Sequence, residues 1–207
     1  MRRVKTQAFE TLEVIAKLLK TRYAKTRRAL HGALIADFAV GKTEGAKLLA
    51  QSSDTVYYMR LISPRVSPHG LLSQIASALE IKFYTRSFVK TFNEIVETFA
   101  HREHTILIVD DAQEYFKNHD LATVFKSLAE STEKLSYIFL GDVRLERAIR
   151  GKFHPITERI VSVRKLSRLA KKTVQSFMET FGLKGNPDEV YRVLKRKNYN
   201  TQNLEDL

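Results

Sequence analysis

The 207-residue chain has no cysteine, which excludes disulfides and thiolate metal sites. No apolar run approaches the ~18 consecutive residues that a membrane span requires. The Met-Arg-Arg start has no apolar signal region behind it. A cytoplasmic protein of bacterial or phage origin, with no membrane partner, is therefore expected. There is no internal repeat and no low-complexity tract. Covalent catalysis has no Ser–His–Asp or Cys–His constellation to run on. His101 and His104 stand three apart with no third ligand, so an exposed helix end explains them better than zinc does. The length fits one domain with room for a small appendage.

What is present is concentrated in two stretches. Leu34 and Ile35 end an apolar strand that runs through Ala36, Asp37, Phe38, Ala39 and Val40 into Gly41-Lys42-Thr43-Glu44, followed by the helical pattern of Ala46, Leu48 and Leu49. In a P-loop, backbone N–H groups of such a turn and the next helix N-terminus surround phosphates. The lysine reaches the β- and γ-phosphates, and the hydroxyl ligates magnesium. Residues 36–44 are the candidate nucleotide-binding loop, with Lys42 the phosphate cation and Thr43 a metal ligand. ATP and Mg2+ are the implied cofactors. The first glycine of the usual pattern is replaced by Ala36, which costs roughly 1–2 kcal/mol if the loop demands positive φ there. Asp37 adds a carboxylate that weakens affinity if it faces the phosphates. A bare Gly-Lys-Thr can also close an ordinary strand–helix turn; the flanking strand and helix argue for phosphate.

The second stretch is Ile106-Leu107-Ile108-Val109, apolar and β-branched without alternation, which reads as a strand buried on both faces. Asp110 at its end is a candidate magnesium ligand and Asp111 a candidate for polarising the attacking water. Aspartate is shorter than the more usual glutamate, and a misplacement of about 1 Å can cost on the order of 10²-fold in rate. The competing reading is an acidic pair capping a helix after a strand.

The remaining strands and helices alternate. A helix carries Phe9, Leu12, Ile15, Ala16 and Leu19, and a strand covers 55–62. Ser63-Pro64 and Ser67-Pro68 break the chain before a helix carrying Leu71, Leu72, Ile75, Ala76 and Leu79. Phe88, Phe92, Ile95, Val96 and Phe99 stripe the next helix, as core. After the Asp110 strand come a helix over 121–131, a strand over 135–140 ending at Gly141-Asp142, a helix over 143–150 and a short strand over 160–163. Helical patterns resume from Ser167, with Gly182 as a stop and Asn186-Pro187-Asp188 as a restart. This order predicts an α/β fold, a parallel sheet covered on both faces with its ligand at the strand C-termini.

The formal charge is +12, from 35 basic and 23 acidic residues, which points to a polyanionic partner. The cations cluster at Lys17, Lys20, Arg22, Lys25, Arg27 and Arg28, at Arg164, Lys165, Arg168, Lys171 and Lys172, and at Lys195, Arg196 and Lys197.

These landmarks, in this order, resemble the AAA+ ATPases that select target DNA in transposition, the phage Mu B protein and its TnsC/TniB-like relatives. The likeness rests on Val40–Glu44, Val4–Gln7, Tyr57–Arg65, Ile108–Gln113 and Phe139–Leu145, and covers roughly residues 4–167. It implies a P-loop AAA+ αβα sandwich with a parallel sheet and a short, truncated C-terminal helical lid. The expected units are a basic amphipathic helix over 1–28, a nucleotide-binding core over 29–165 and a partial lid over 166–207. The resemblance assigns the metal role to Asp110 and the place of the catalytic glutamate to Asp111. Asp142 takes that of the polar sensor and Arg159 that of an arginine acting across a subunit boundary, with Arg150 as fallback. Such an arginine can be worth 10³–10⁵ in rate. It also implies an ATPase that assembles as a helical filament or ring around duplex DNA and engages a transposase. The DNA-facing residues would be Arg65, Lys82, Thr85, Arg86 and Lys90, contacting backbone without reading bases. Departures at Ala36, Asp111 and Asp142, and Gln202 where many lids carry arginine, imply slow hydrolysis. By the same resemblance, the chain is expected to end inside the lid and to lack the DNA-binding N-terminal extension of Mu B. The competing readings are a catalytically weak, nucleotide-gated DNA-binding scaffold, and a helicase loader or origin-binding ATPase.

Overall fold

The computed structural model describes residues 6–37, 40–60, 66–82, 87–151, 156–166, 171, 174–175, 178–179, 182 and 184–196. The apolar runs become five parallel strands: β1 (His31–Ala36), β2 (Val56–Arg60), β3 (Thr105–Asp110), β4 (Leu135–Gly141) and β5 (Ile160–Leu166). Their order is β2-β3-β4-β1-β5. Because β4 lies between β1 and β3, the loop after β1 and the acids after β3 face each other across one strand's width. β1, β3 and β4 are buried along their whole length, which is why they read as continuous apolar runs instead of alternating ones.

Alternate residues of these strands feed two cores. Leu34, Ile106, Ile108, Ile138 and Leu140 pack beneath α1 (Gln7–Thr26) and α2 (Lys42–Gln51). Ala33, Ile35, Leu107, Val109, Tyr137 and Phe139 pack beneath the other helices. Those are α3 (Pro68–Ala78), α4 (Phe88–Ala100), α5 (Gln113–Phe116), α6 (His119–Thr132) and α7 (Val143–Arg150). Local chemistry starts the helices where the sequence signals them. Thr6 Oγ1 accepts from Phe9 N, Ser67 caps α3 with Pro68 behind it, and the Asn118 and Asp142 side chains cap α6 and α7. A further helix, α8, spans Pro187–Arg196.

Two expectations are adjusted and one element is added. β5 runs on to Leu166 because it pairs with β1 along its length, so the basic pair Arg164-Lys165 lies within an edge strand. α5 is a four-residue helix with no periodic signature. The phenylalanine stripe of α4 divides: Ile95 and Phe99 are core, Phe92 packs partly against it, and Phe88 and Val89 are exposed. Residues 61–62, Ser167, Phe177, Phe181 and Gln202 lie outside the described residues. Among the described residues, no helix is long and apolar enough to cross a membrane.

Candidate nucleotide site

The C-terminal ends of β1, β3 and β4 bring the candidate residues to one edge of the sheet. Ala36 is the last residue of β1 and is not among the described non-glycine residues with positive φ. The loop therefore places no left-handed demand on that position, and the expected strain of an alanine there does not arise. Gly41 does carry it, with φ 81° at the N-cap of α2. A side chain at Gly41 would be strained. Val40 is buried in the α1–α2 core and anchors the loop's end. Phe38 and Ala39 lie outside the described residues.

Lys42 folds its ammonium back onto the loop, donating to the carbonyls of Ala36 and Asp37, the latter at 2.8 Å. Burial lowers its pKa against the opposing pull of Asp110, Asp142, Asp111 and Asp37. The Asp37 side chain is exposed, and its carbonyl is what engages the lysine. Glu44 is also exposed and pairs with Lys47 Nζ at 3.0 Å, so no described contact ties its carboxylate to the loop.

Thr43 and Asp110 meet directly. Thr43 Oγ1 donates to Asp110 Oδ2 at 2.6 Å, although the two lie on separate elements 67 residues apart in sequence. The same oxygen accepts from Tyr58 Oη at 3.0 Å, and Oδ1 accepts from the Asp111 backbone N–H at 2.9 Å. Asp110 is only 2% exposed, so these donors hold its carboxylate in one orientation. Burial, followed by the charge and hydrogen bond of Asp110, raises the Tyr58 pKa and keeps the phenol protonated as a donor. A threonine hydroxyl and a carboxylate, converging at a helix N-terminus, form a hard oxygen donor set that fits Mg2+. Among the described residues no group of three or more His, Cys, Asp or Glu side chains forms another metal site.

Asp111 has left-handed backbone (φ 53°), tolerated by aspartate better than by most residues. Its Oδ2 accepts from Arg60 Nε at 2.9 Å and its Oδ1 lies 3.5 Å from Gln113 Nε2. Arg60 ends β2 and stands in register with Asp110. The residue expected to polarise water is thus paired with a cation. Gln113 is 7% exposed, and its Oε1 has no partner among the described residues. It packs against Gly141, where a Cβ would lie 2.6 Å from that oxygen. Asp142 caps α7 and is chelated by Arg144, whose Nη2 lies 2.8 Å away. Partial burial pushes its carboxyl up, but the hydrogen bonds and charge of Arg144 hold it below the usual carboxylate range.

Arg159 lies at the other edge of the sheet, immediately before β5, and its Nη2 is 3.3 Å from Glu130 Oε1. One strand of six residues, about 20 Å, separates that edge from the loop after β1. Arg159 cannot reach its own chain's site. Arg150 pairs with Glu146 at 2.7 Å. Of the DNA-facing candidates, Lys82 and Lys90 are exposed, while Arg65, Thr85 and Arg86 lie outside the described residues. His104 is not at an exposed helix end. Its ring stacks on Tyr23 with centroids 4.2 Å apart, and Nε2 lies 2.8 Å from Ser136 Oγ.

Tyr58, Arg60, Gln113 and Arg144 were not legible as site residues in the sequence. The Tyr57-Tyr58 pair does not say which ring faces the acid, and Arg60 becomes relevant only once β2 is known to lie beside β3.

A parallel sheet with this strand order, a Gly-Lys-Thr loop after β1 and a buried acid ending β3 defines a P-loop AAA+ α/β protein. The chain belongs to the AAA domain family, whose model matches residues 25–149. No curated protein sequence matches it. Among solved structures it is similar to the Aeropyrum pernix ORC2 protein in its ADPNP–ADP complexes, with TM-score 0.63 and 15% identity over 81% of this chain and 50% of that one. It is also similar to the Aeropyrum pernix ORC1 protein in complex with DNA, with TM-score 0.63 and 16% identity over 93% and 56%. A DNA replication initiation factor gives TM-score 0.55 and 14% identity over 94% and 58%. At these identities the likeness is one of fold. The chain spans between 50% and 58% of the length of these three relatives.

Proposed function

We propose that the protein is an ATP-dependent, DNA-binding AAA+ ATPase that assembles on duplex DNA to select or activate a transposition target and recruit a transposase, hydrolysing ATP slowly. The nucleotide-binding part of this reading rests on the meeting of Thr43 Oγ1 and Asp110 Oδ2 at 2.6 Å, with the Lys42 ammonium held at the same loop by the carbonyls of Ala36 and Asp37; the transposition part rests on the resemblance of the ordered motifs. Lys42 would exchange the carbonyls of Ala36 and Asp37 for the β- and γ-phosphates, and backbone N–H groups at the start of α2 would hold the anion. Thr43 and Asp110 would hold a magnesium ion, which would neutralise phosphate charge when bound. Asp111 orients the attacking water only when its carboxylate is not engaged by Arg60, which is one physical source of slow turnover. Asp142 stands at the end of β4 as the polar sensor. Arg159, remote from its own loop, serves a neighbouring subunit's nucleotide in a filament or ring. DNA is held through its backbone by Arg65, Lys82, Thr85, Arg86 and Lys90. The core is taken as 29–165, preceded by the basic helix of 1–28 and followed by a partial lid over 166–207, in a protein that works in the cytoplasm.

Phosphate release with and without duplex DNA tests the catalytic part. Sustained turnover in the wild type, abolished in Lys42→Ala, is expected. DNA binding gated by ATP without turnover would favour a nucleotide-controlled scaffold instead. Electron microscopy of protein with duplex in ATP, ADP or no nucleotide tests assembly, and non-assembling monomers in all three would refute it. A second reading, an origin-binding or helicase-loading ATPase, draws support from the fold likeness to the ORC1 protein in complex with DNA. Stimulation of helicase loading, with no effect on transposase activity, would favour that reading.

A further inference from the structure

The cations at the end of α1 and its cap stand close together without carboxylate partners; Lys82, Lys90, Arg147 and Arg164 are also exposed and unpaired among the described residues, but they do not form such a run. Arg60, Arg144, Arg150, Arg159, Lys47 and Lys165 each have a carboxylate partner. Lys17, Lys20, Arg22, Lys25, Arg27 and Arg28 are all exposed, and none has an ion-pair partner among the described residues. No acidic residue interrupts the chain from Val14 to Arg28. The acids on neighbouring segments are Asp54, beside the Thr55 hydroxyl that Lys20 donates to, and Glu103, beside the His104 ring stacked on Tyr23. The helix dipole accounts for a cation in the last turn, such as Lys25, but not for cations two turns earlier or beyond the cap.

The position of this surface is set by packing. The apolar side of α1, with Ala8, Phe9, Leu12, Ile15, Ala16 and Leu19, is sealed in the core. The N-terminus of α1 lies beside the phosphate loop, since a Cβ on Gly41 would stand 3.5 Å from Thr6 Cγ2. Twenty residues of helix then carry the chain about 30 Å to Arg27, whose left-handed cap turns it toward the start of β1. The cationic half therefore lies at the sheet edge opposite the nucleotide. Pro68, Phe88, Val89 and Phe92 line one cleft, and Lys90 belongs to that same start of α4. Pro68 lies past the C-terminal end of β2, so this group sits at the nucleotide edge.

We infer that the C-terminal half of α1, with Arg27 and Arg28, is a second duplex-DNA contact surface, separate from the one at residues 65–90. The inference rests on the reading that the protein binds duplex DNA. Six positive charges over about 17 Å face a duplex that presents about one phosphate charge per 1.7 Å of axis. Exposed methylene-ammonium and guanidinium groups suit phosphate contact without base readout. An anionic membrane suits the helix poorly, because insertion needs an apolar face and that face is already buried. With Lys90 at the nucleotide edge and this surface at the opposite edge, one subunit can touch two separated stretches of duplex.

The test is duplex affinity by fluorescence anisotropy with Mg-ATP, from 50 to 200 mM salt. It compares the full chain with a variant carrying Lys17→Ala, Arg22→Ala, Lys25→Ala and Arg28→Ala. These positions are exposed, alanine favours helix, and Lys20 and the left-handed Arg27 are left intact. The salt slope is expected to fall by about 3.6, near 0.9 for each of four lost phosphate contacts, with nucleotide affinity and Tm unchanged. Adding Lys82→Ala and Lys90→Ala should lower affinity further and additively, as for distant sites. An unchanged slope in a wild type that binds duplex would overturn this inference alone. A wild type with no duplex binding in any nucleotide state would remove the DNA reading as well. Preference for phosphatidylserine vesicles over duplex would overturn the assignment of the partner.

Discussion

Asp110 Oδ2 accepts two hydroxyl hydrogen bonds, and only one of the donors was foreseen. Thr43 follows from the Gly-Lys-Thr pattern, whereas Tyr58 follows from strand order and from which side of β2 it occupies. A hydrogen bond to a charged group contributes about 1.5–3 kcal/mol, less where water replaces the lost donor. Tyr58→Phe should therefore weaken ATP binding several-fold in the presence of Mg2+ and leave it unchanged in EDTA, as read by calorimetry. Equal weakening in both conditions would mean that Tyr58 supports the fold and not the metal site. At Ala36 the sequence suggested strain, but the strand end is not left-handed and the positive φ falls on Gly41.

His31 was not legible as a special residue either. It is fully buried at the start of β1, with Nδ1 accepting from Tyr137 N at 3.1 Å. Burial and then the nearby Arg159 charge lower its pKa from 6.5 to about 3. His104, lowered by burial to about 4, behaves similarly. The unfolded chain takes up these protons below pH 6.5 while the folded chain does not, so stability falls as the pH drops from 6.5 toward 3. Thermal melts should show a decline between pH 6.5 and 5 that is shallower in His31→Gln. An unchanged slope in that variant would exclude His31 as a contributor.

At the scale of elements, close approach of two helices fixes the phosphate loop. A Cβ on Gly45 of α2 would lie 2.8 Å from Phe9 N and 3.2 Å from Phe9 Cα, both backbone atoms of α1. Gly45→Ala gains about 1 kcal/mol in helix propensity but overpacks a backbone contact, which typically costs 1–3 kcal/mol. The contact should win, lowering Tm by a few degrees. A raised Tm would mean that α1 shifts freely on α2. The amphipathic stripe of α1 was plain in the sequence because Phe9, Leu12, Ile15 and Leu19 recur at helical spacing. The buried strands were equally plain, since both of their faces are covered. The four-residue α5 has too few turns to show a period. The parallel pairing that extends β5 to Leu166 involves polar residues on an edge strand, where no apolar run marks it.

At the scale of the whole molecule, the net charge of +12 is an electrostatic statement about partners and says nothing about fold. Duplex binding should weaken steeply between 50 and 200 mM salt. An affinity insensitive to ionic strength would contradict backbone contact. The order of motifs made the α/β fold and the loop–acid pair legible. Sheet order was not legible from single segments, and with it went the Arg60–Asp111 pairing and the distance of Arg159 from its own loop.

The claim on which the rest depends is that Lys42, Thr43 and Asp110 hold one magnesium–nucleoside triphosphate. Calorimetric titration with ATP, in Mg2+ and in EDTA, tests it for the wild type, Lys42→Ala and Asp110→Asn. The wild type should bind more tightly with Mg2+. Lys42→Ala should lose binding in both conditions, and Asp110→Asn should bind equally weakly in both. Absence of binding in the wild type, or a full Mg2+ dependence surviving in Asp110→Asn, would contradict the account.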